Sequence, residues 1–200
     1  MKKLVECVPN FSEGRDKDVI DSIVKSMQSV ENVKVLDVDS GKDTNRTVVT
    51  IVGEPMAVLE SAFIGIRTAS ELIDMSKHQG THPRMGATDV CPMIPVSEVS
   101  DEECINLTKT LGKRVGEELK IPIYLYEKSA QYKNRTKLPI IRSGEYEGLA
   151  KKLSDPEWKP DFGPSVMHPQ AGATVIGCRD FLIAYNINLN TKDTRLATDI

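Results

Sequence analysis

Two of the chain's three histidines, His78 and His82, lie four residues apart in a segment rich in charged and turn-forming residues. Arg84 and Asp89 follow closely, and interspersed glycines and a proline disfavour an ordinary helix through the segment. Histidine is the side chain that exchanges protons near neutral pH. An irregular, charged loop with a titrating imidazole is a candidate site for general acid–base catalysis. We assign that role to His82, because Arg84 and Asp89 accompany it.

The spacing of the two histidines is also that of a helical zinc motif, but no metal site is predicted. That motif needs a glutamate directly after the first histidine, and Gln79 occupies the position. The glycines and the proline would also break the required helix. For His78 we predict a structural role as a hydrogen-bonded loop residue.

Three other segments contain candidate binding residues, each with a simpler alternative. The loop 10–15 lies between a strand and a helix, where backbone amides attract anions and Arg15 adds a carboxylate-binding fork; helix capping is the alternative. Asp37 and Asp39 share one strand face, and Asp39 could orient a histidine or accept an amine; turn formation is the alternative. The loop 163–172 could approach a flat heterocycle, although it matches no nucleotide-binding motif and could be a plain connection.

The overall composition restricts the class of protein. Two hundred residues form one sizeable domain, or a domain and part of another. The net charge of −3 argues against nucleic acid as the main partner. The four cysteines show no CxxC spacing, the N-terminus does not read as a signal peptide, and no apolar stretch is long enough for a membrane span. We therefore expect a reduced, cytoplasmic protein with no membrane partner.

The hydrophobic patterns predict an α/β (α+β) fold. Strands at 4–9, 33–38 and 47–52, and an extended run that follows the His82 loop and ends at Val96, alternate with helices at 15–29 and from Pro55 onward in a βαββαβ order. This is the order of a ferredoxin-like sheet with its helices packed on one face. Pro92 and Pro95 predict that the run ending at Val96 is an edge or irregular strand.

The second half of the chain is predicted to contain two helices and three strands. A capping box at 100–103 opens one helix, and a shorter helix covers 145–153. A strand is predicted at 123–126. The runs 173–178 and 181–189 are predicted to form a closing hairpin.

Together these segments resemble the formiminotransferase domain of glutamate formimidoyltransferases and formimidoyltransferase-cyclodeaminases. The resemblance covers nearly the whole chain. The matching segments are VECVPNFSEGR (5–15), LDVD (36–39), TNRTV (44–48), HPRMGATDVCP (82–92), YLY (124–126), RSGEYE (142–147), DFGPS (161–165) and FLIAYNINL (181–189).

The resemblance implies transfer of a formimidoyl group from N-formimidoyl-L-glutamate to tetrahydrofolate, the co-substrate, during histidine catabolism. It places the catalytic histidine on His82, and it implies a homodimer and a tunnel between two α/β subdomains. On this basis residues 1–178 form the first subdomain, and 179–200 are the opening strand of a truncated second one. The implied folate-binding residues are Gly163, Pro164, Ser165, Val166, Met167, His168, Pro169, Gln170, Ala171 and Gly172.

The implied reaction gives each candidate residue a role. His82 would take a proton from the attacking pteridine nitrogen and return it to the leaving glutamate nitrogen. Arg84 or Arg15 would hold substrate carboxylates, and Asp39 would stabilise positive charge on the amidinium or on His82. No metal is required. Two alternatives stay open: a non-catalytic folate-binding or oligomerisation fragment, and a glutamate formyltransferase that uses 5-formyltetrahydrofolate.

Overall fold

A mixed seven-stranded β-sheet organises the protein, whose computed structural model describes residues 2–183, 191 and 195. Five α-helices of the described residues pack on this sheet, and three short 3₁₀ turns lie between Glu127 and Trp158. The strands are β1 (Leu4–Cys7), β2 (Asn10–Phe11), β3 (Val33–Gly41), β4 (Arg46–Gly53), β5 (Thr88–Ser97), β6 (Ile123–Leu125) and β7 (Thr174–Cys178). The helices are α1 (Lys17–Gln28), α2 (Pro55–Leu72), α3 (Asp101–Glu118), α4 (Leu138–Arg142) and α5 (Glu145–Leu153).

The strand pairings confirm the predicted α/β class. Strand β3 pairs with β4, and β4 pairs with both β1 and β2, which also pair with β5; all of these pairings are antiparallel. Strand β7 is parallel to β5, and β6 is parallel to β7, so the sheet is mixed. Short hairpin links suffice for antiparallel neighbours, whereas helical crossovers join the parallel ones.

The helix boundaries follow from local sequence signals. The carboxylate of Asp16 accepts hydrogen bonds from the first backbone amides of α1, and Ile20, Ile23 and Met27 place a buried stripe on the sheet. The predicted capping box is present at the start of α3, where Ser100 and Glu103 bond to each other's backbone amides. The predicted helix at 145–153 is also confirmed as α5.

The helices occupy both faces of the sheet, so the prediction of helices on one face only is wrong. Helices α1, α2 and α3 cover one face, where Ile123 and Leu125 join the main core. Side chains alternate along a strand, and Tyr124 therefore points to the opposite face. There it packs with residues of α4 and α5 in a second apolar cluster.

Pro92 and Pro95 were predicted to confine this run to an edge or an irregular strand. Strand β5 is not an edge, because it is paired on both sides, but it is irregular, with register shifts in its pairing with β1 and β2. The carbonyl of Pro92 accepts a hydrogen bond from the Val8 amide at 3.1 Å. The nitrogen and carbonyl of one strand residue face the same side, so the nitrogen of Pro92 faces the break between β1 and β2. The missing N–H therefore falls where the ladder is already interrupted.

The predicted closing hairpin is wrong, because β7 lies between β5 and β6 and both of its edges are occupied. Residues 181–183 are exposed and belong to no strand. The rest of the predicted second arm, 184–189, lies outside the described residues. The division into subdomains 1–178 and 179–200 stays a prediction. In the described part of the chain, no helix has the length and apolarity that crossing a membrane requires.

Candidate active site

His82 is half-buried, and its position fixes which ring nitrogen carries the proton. Its Nδ1 lies 2.8 Å from the carbonyl oxygen of Pro83. A carbonyl oxygen only accepts hydrogen bonds, so in this arrangement Nδ1 carries the hydrogen and donates it. The lone pair of the neutral ring is then on Nε2, which is the atom available as a base.

The surroundings of His82 favour its neutral form. Burial lowers the pKa of His82 from its ordinary value, and the positive charges of Arg46 and Arg142 lower it further. The hydrogen bond to Pro83 and the charge of Asp89 act in the opposite direction, but the net pKa shift is downward. The ring is therefore a competent proton acceptor at neutral pH.

A buried carboxylate, Asp89, holds the two arginines near His82. Asp89 is fully buried; its Oδ2 accepts hydrogen bonds from Nη1 of Arg46 at 2.7 Å and from Nη2 of Arg142. Its Oδ1 accepts from the amide of Met85 at 2.9 Å, which anchors the His82 loop. Two guanidinium groups and one carboxylate leave this cluster with one net positive charge.

The strand register explains how these residues meet. Arg46 is the first residue of β4, and alternation places it on the same face as Val48, which is opposite Asn10 of β2. The Nε of Arg46 donates to the side-chain oxygen of Asn10 at 3.1 Å. Asp89 lies at a register shift where β5 pairs with β2. The cluster therefore forms where three strands, β2, β4 and β5, meet helix α4.

Asp39 lies on the same sheet face. It is exposed and in register with Val48, and Asp37 is in register with Thr50, so the two carboxylates share one face as predicted. Because Val48 is also opposite Asn10, Asp39 lies two strands from Asn10, roughly 10 Å away.

Arg84 contacts a different group of residues from the Asp89 cluster. Its guanidinium pairs with Glu145 at 2.9 Å and with Glu147 at 2.7 Å. Its Nε donates to Nδ1 of His78 at 3.2 Å, and Nε2 of His78 donates to the carbonyl of Asn45 at 2.9 Å. Both nitrogens of His78 are thus satisfied, which confirms its predicted structural role. This cluster lines a polar cleft of about 340 Å³ that also includes Met167.

Arg15 is exposed, and its Nε donates to the carbonyl of Lys42 at 2.9 Å. This bond leaves the two terminal nitrogens of the guanidinium at the surface. The predicted roles of Arg15, Arg84 and Asp39 in substrate binding or catalysis stay predictions.

The segment 163–172 joins the His82 loop through its last residues. The amide of Ala87 donates to the carbonyl of Ala171 at 2.9 Å, and Gly172 forms an isolated bridge with Gly86. A Cβ atom on Gly86 would lie 2.2 Å from the carbonyl oxygen of Ala173, so only glycine permits this approach. The start of the segment contacts a different element, because Gly163 packs against Gly116 of α3.

His168 shapes this segment. Its Nδ1 accepts hydrogen bonds from the amides of Gln170 at 3.3 Å and Ala171 at 2.9 Å. The ring must be unprotonated at Nδ1 to accept them, and burial lowers the pKa of His168 accordingly. His168 is thus a conformational support for the loop that ends at Gly172.

The sequence analysis proposed His82 as a site residue but did not predict the cluster beside it. Arg46, Arg142 and Asn10 were not predicted as site residues, and Asp89 was noted only as a neighbour of His82. Strand alternation was a usable signal for Arg46 and Asn10, since both share a face with Asp39. Arg142 gave no local signal, because 53 residues separate it from Asp89.

A match to a known protein family assigns the class of protein. Residues 4–179 match the family described as "Formiminotransferase domain, N-terminal subdomain". The match covers most of the chain, and the chain belongs to this family.

Several curated relatives are similar over nearly all of the chain. The formimidoyltransferase-cyclodeaminase of Mus musculus is 58% identical over 96% of the chain, which corresponds to 36% of that protein. The glutamate formimidoyltransferases of Thermoplasma acidophilum and Streptococcus pyogenes serotype M1 are 50% and 46% identical, over 98% and 100% of the chain. The chain spans 65% and 67% of those two proteins.

Proposed function

We propose that the protein transfers the formimidoyl group of N-formimidoyl-L-glutamate to tetrahydrofolate, in histidine catabolism, with His82 as the general acid and base. Relatives named glutamate formimidoyltransferase, at 46–50% identity, support this type of reaction. The observation that carries the proposal is the neutral, half-buried imidazole whose Nδ1–H is held by Pro83. That arrangement leaves Nε2 free to accept a proton.

The proposed reaction balances with one imidazole. The pteridine nitrogen forms a bond to the amidine carbon and loses its proton to Nε2 of His82. The same proton then goes to the glutamate nitrogen as its bond to that carbon breaks, which yields glutamate and 5-formimidoyltetrahydrofolate. A positioned acid–base is worth about 10²–10⁴ in rate, or about 3–5.5 kcal/mol of barrier.

The remaining roles follow the same proposal. Residues 163–172 bind the folate, supported by their hydrogen bonds to the His82 loop. Asp39 stabilises positive charge on the amidinium. Arg84 is committed to two glutamates and Arg15 is at the surface, so neither is favoured as the carboxylate-binding group near His82. No metal takes part in the proposed steps.

We also propose a ferredoxin-like unit, a cytoplasmic location and a homodimer. The antiparallel order β3-β4-β1-β5 supports the ferredoxin-like description, with β7 and β6 as additions. The location rests on the composition and the dimer on the family resemblance. Light scattering coupled to size-exclusion chromatography tests the dimer directly.

Two alternatives are separated from this proposal by one set of assays. The natural full-length protein is incubated with N-formimidoyl-L-glutamate and tetrahydrofolate, and products are followed by mass spectrometry. Formation of 5-formimidoyltetrahydrofolate and glutamate is expected. Turnover only of 5-formyltetrahydrofolate with glutamate would establish the formyltransferase instead. Calorimetric binding of 5-formyltetrahydrofolate without turnover of either pair would establish a non-catalytic folate-binding module.

A further inference from the structure

A small cleft opens next to the residue that holds His82. It has a volume of about 270 Å³, and its wall includes Pro83, whose carbonyl accepts the His82 hydrogen bond. The remaining lining residues come from α4, the start of α5 and the link between them: Pro139, Arg142, Ser143, Gly144 and Glu145. Ligand atoms in this cleft would therefore lie against Pro83, the residue whose carbonyl anchors the proposed base.

Arg142 lines this cleft and keeps one terminal nitrogen available for a ligand. Its side chain is 13% exposed, and Nη2 is committed to Asp89. Its Nε is buried and has no hydrogen-bond partner among the described residues. That nitrogen has almost no accessible surface, so it does not face a ligand in the cleft. The second terminal nitrogen, Nη1, is not buried and has no hydrogen-bond partner among the described residues, so it is the donor that a ligand carboxylate would meet.

The other charges of the cleft leave Arg142 as its available cation. Glu145 is in an ion pair with Arg84 at 2.9 Å, which offsets its repulsion of an anion. The guanidinium of Arg46 is committed to Asp89 and Asn10. Asp89 holds Arg142 in place but its one charge is shared by two arginines, so the cluster stays positive.

We infer that Arg142 binds the α-carboxylate of the formimidoyl donor and so sets the specificity for an α-amino acid. This inference rests on the proposed function. In the donor, a single carbon joins the α-carboxylate to the leaving nitrogen, whereas the γ-carboxylate is farther away. His82 must reach that nitrogen, and the charge of Arg142 acts on His82. An arginine beside the base therefore meets the α-carboxylate.

The test compares two donors in the natural full-length protein. N-formimidoyl-L-glutamate carries the α-carboxylate, and N-formimidoyl-4-aminobutyrate lacks it but keeps the distal one. Arg142→Gln is expected to raise KM for the first donor roughly 10–100-fold, the worth of a charged hydrogen-bond pair. For the second donor the same variant changes KM less than about threefold, because no partner is lost. Arg67→Gln, an exposed arginine on α2, is the matched control and leaves both values unchanged.

The same experiment includes its own controls for folding. If Arg142→Gln turns over N-formimidoyl-4-aminobutyrate at the same rate as the wild-type protein, the variant is folded. If that variant does not fold, Arg142→Lys keeps the charge but loses the guanidinium geometry, and a smaller selective loss is expected for the glutamate donor. An equal effect on both donors, or none on either, overturns the inference.

Failure of the proposed function is distinguishable from failure of this inference. Absence of turnover by the wild-type protein refutes the proposed reaction alone. Calorimetry with L-glutamate then decides whether Arg142 binds the carboxylate. Weaker binding by Arg142→Gln than by Arg67→Gln supports the inference, and equal binding overturns it.

Discussion

Replacing Asp89 by asparagine removes the negative charge between two buried arginines while keeping the shape of the side chain. Asp89 is 0% exposed, and the arginines it binds are 8% and 13% exposed, so solvent cannot replace the lost charge effectively. The amide oxygen of asparagine can still accept a hydrogen bond from Met85. The two guanidinium groups, however, would face each other without a counterion.

Loss of one partner from a buried ion pair costs about 3–5 kcal/mol, because the remaining charge is left buried and unpaired. We expect that loss in the free energy of unfolding of Asp89→Asn. It is a large part of the roughly 5–15 kcal/mol that stabilises a typical domain. At a slope of about 2 kcal/mol per M, the urea midpoint would fall by roughly 1.5–2.5 M.

Urea unfolding followed by the fluorescence of Trp158, the chain's one tryptophan, measures this loss. Asp180→Asn is the matched control, since it also removes a carboxylate from an ion pair. Asp180 is 80% exposed and pairs with Lys128, and such surface pairs contribute about 0–1 kcal/mol. If Asp89→Asn is no more destabilising than this control, the reasoning about the buried cluster is refuted.

Three further predictions concern pH, thiols and a helix cap. The pKa of His82 is lowered and the base must be neutral, so kcat/KM should be level near pH 7 and fall only at more acidic pH. Arg46→Gln removes a charge that lowers this pKa, so the acid limb of the pH–rate profile should move to higher pH. The four buried cysteines should not react with a thiol reagent until urea unfolds the protein. Ser100→Ala should lower the free energy of unfolding in urea by about 1 kcal/mol, because Ser100 caps α3. A change near zero would contradict this capping role.

The elements predicted best have strong local signals. The capping box fixed the start of α3, and the spacing of Asp37 and Asp39 correctly placed both on one strand face. The structural role of His78 was also predicted, because its surroundings disfavour a metal-binding helix. In each of these cases the physical cause lies within a few residues of the feature.

The features that the sequence did not reveal depend on contacts between distant segments. The central position of β5 was hidden by Pro92, whose missing N–H is tolerated only because β1 and β2 break beside it. The second helical layer depends on how Tyr124 packs with α4 and α5. The contact of Arg142 with Asp89 has the same long-range origin, so residue spacing could not predict the cluster beside His82.

The central claim is that His82 moves the proton between the two nitrogens that compete for one carbon. Its most direct test is the turnover number of His82→Gln in the natural full-length protein, with His78→Gln as the matched histidine control. We predict a fall of about 10²–10⁴ for His82→Gln and less than about tenfold for His78→Gln. A fall below tenfold for a folded His82→Gln variant would contradict the claim.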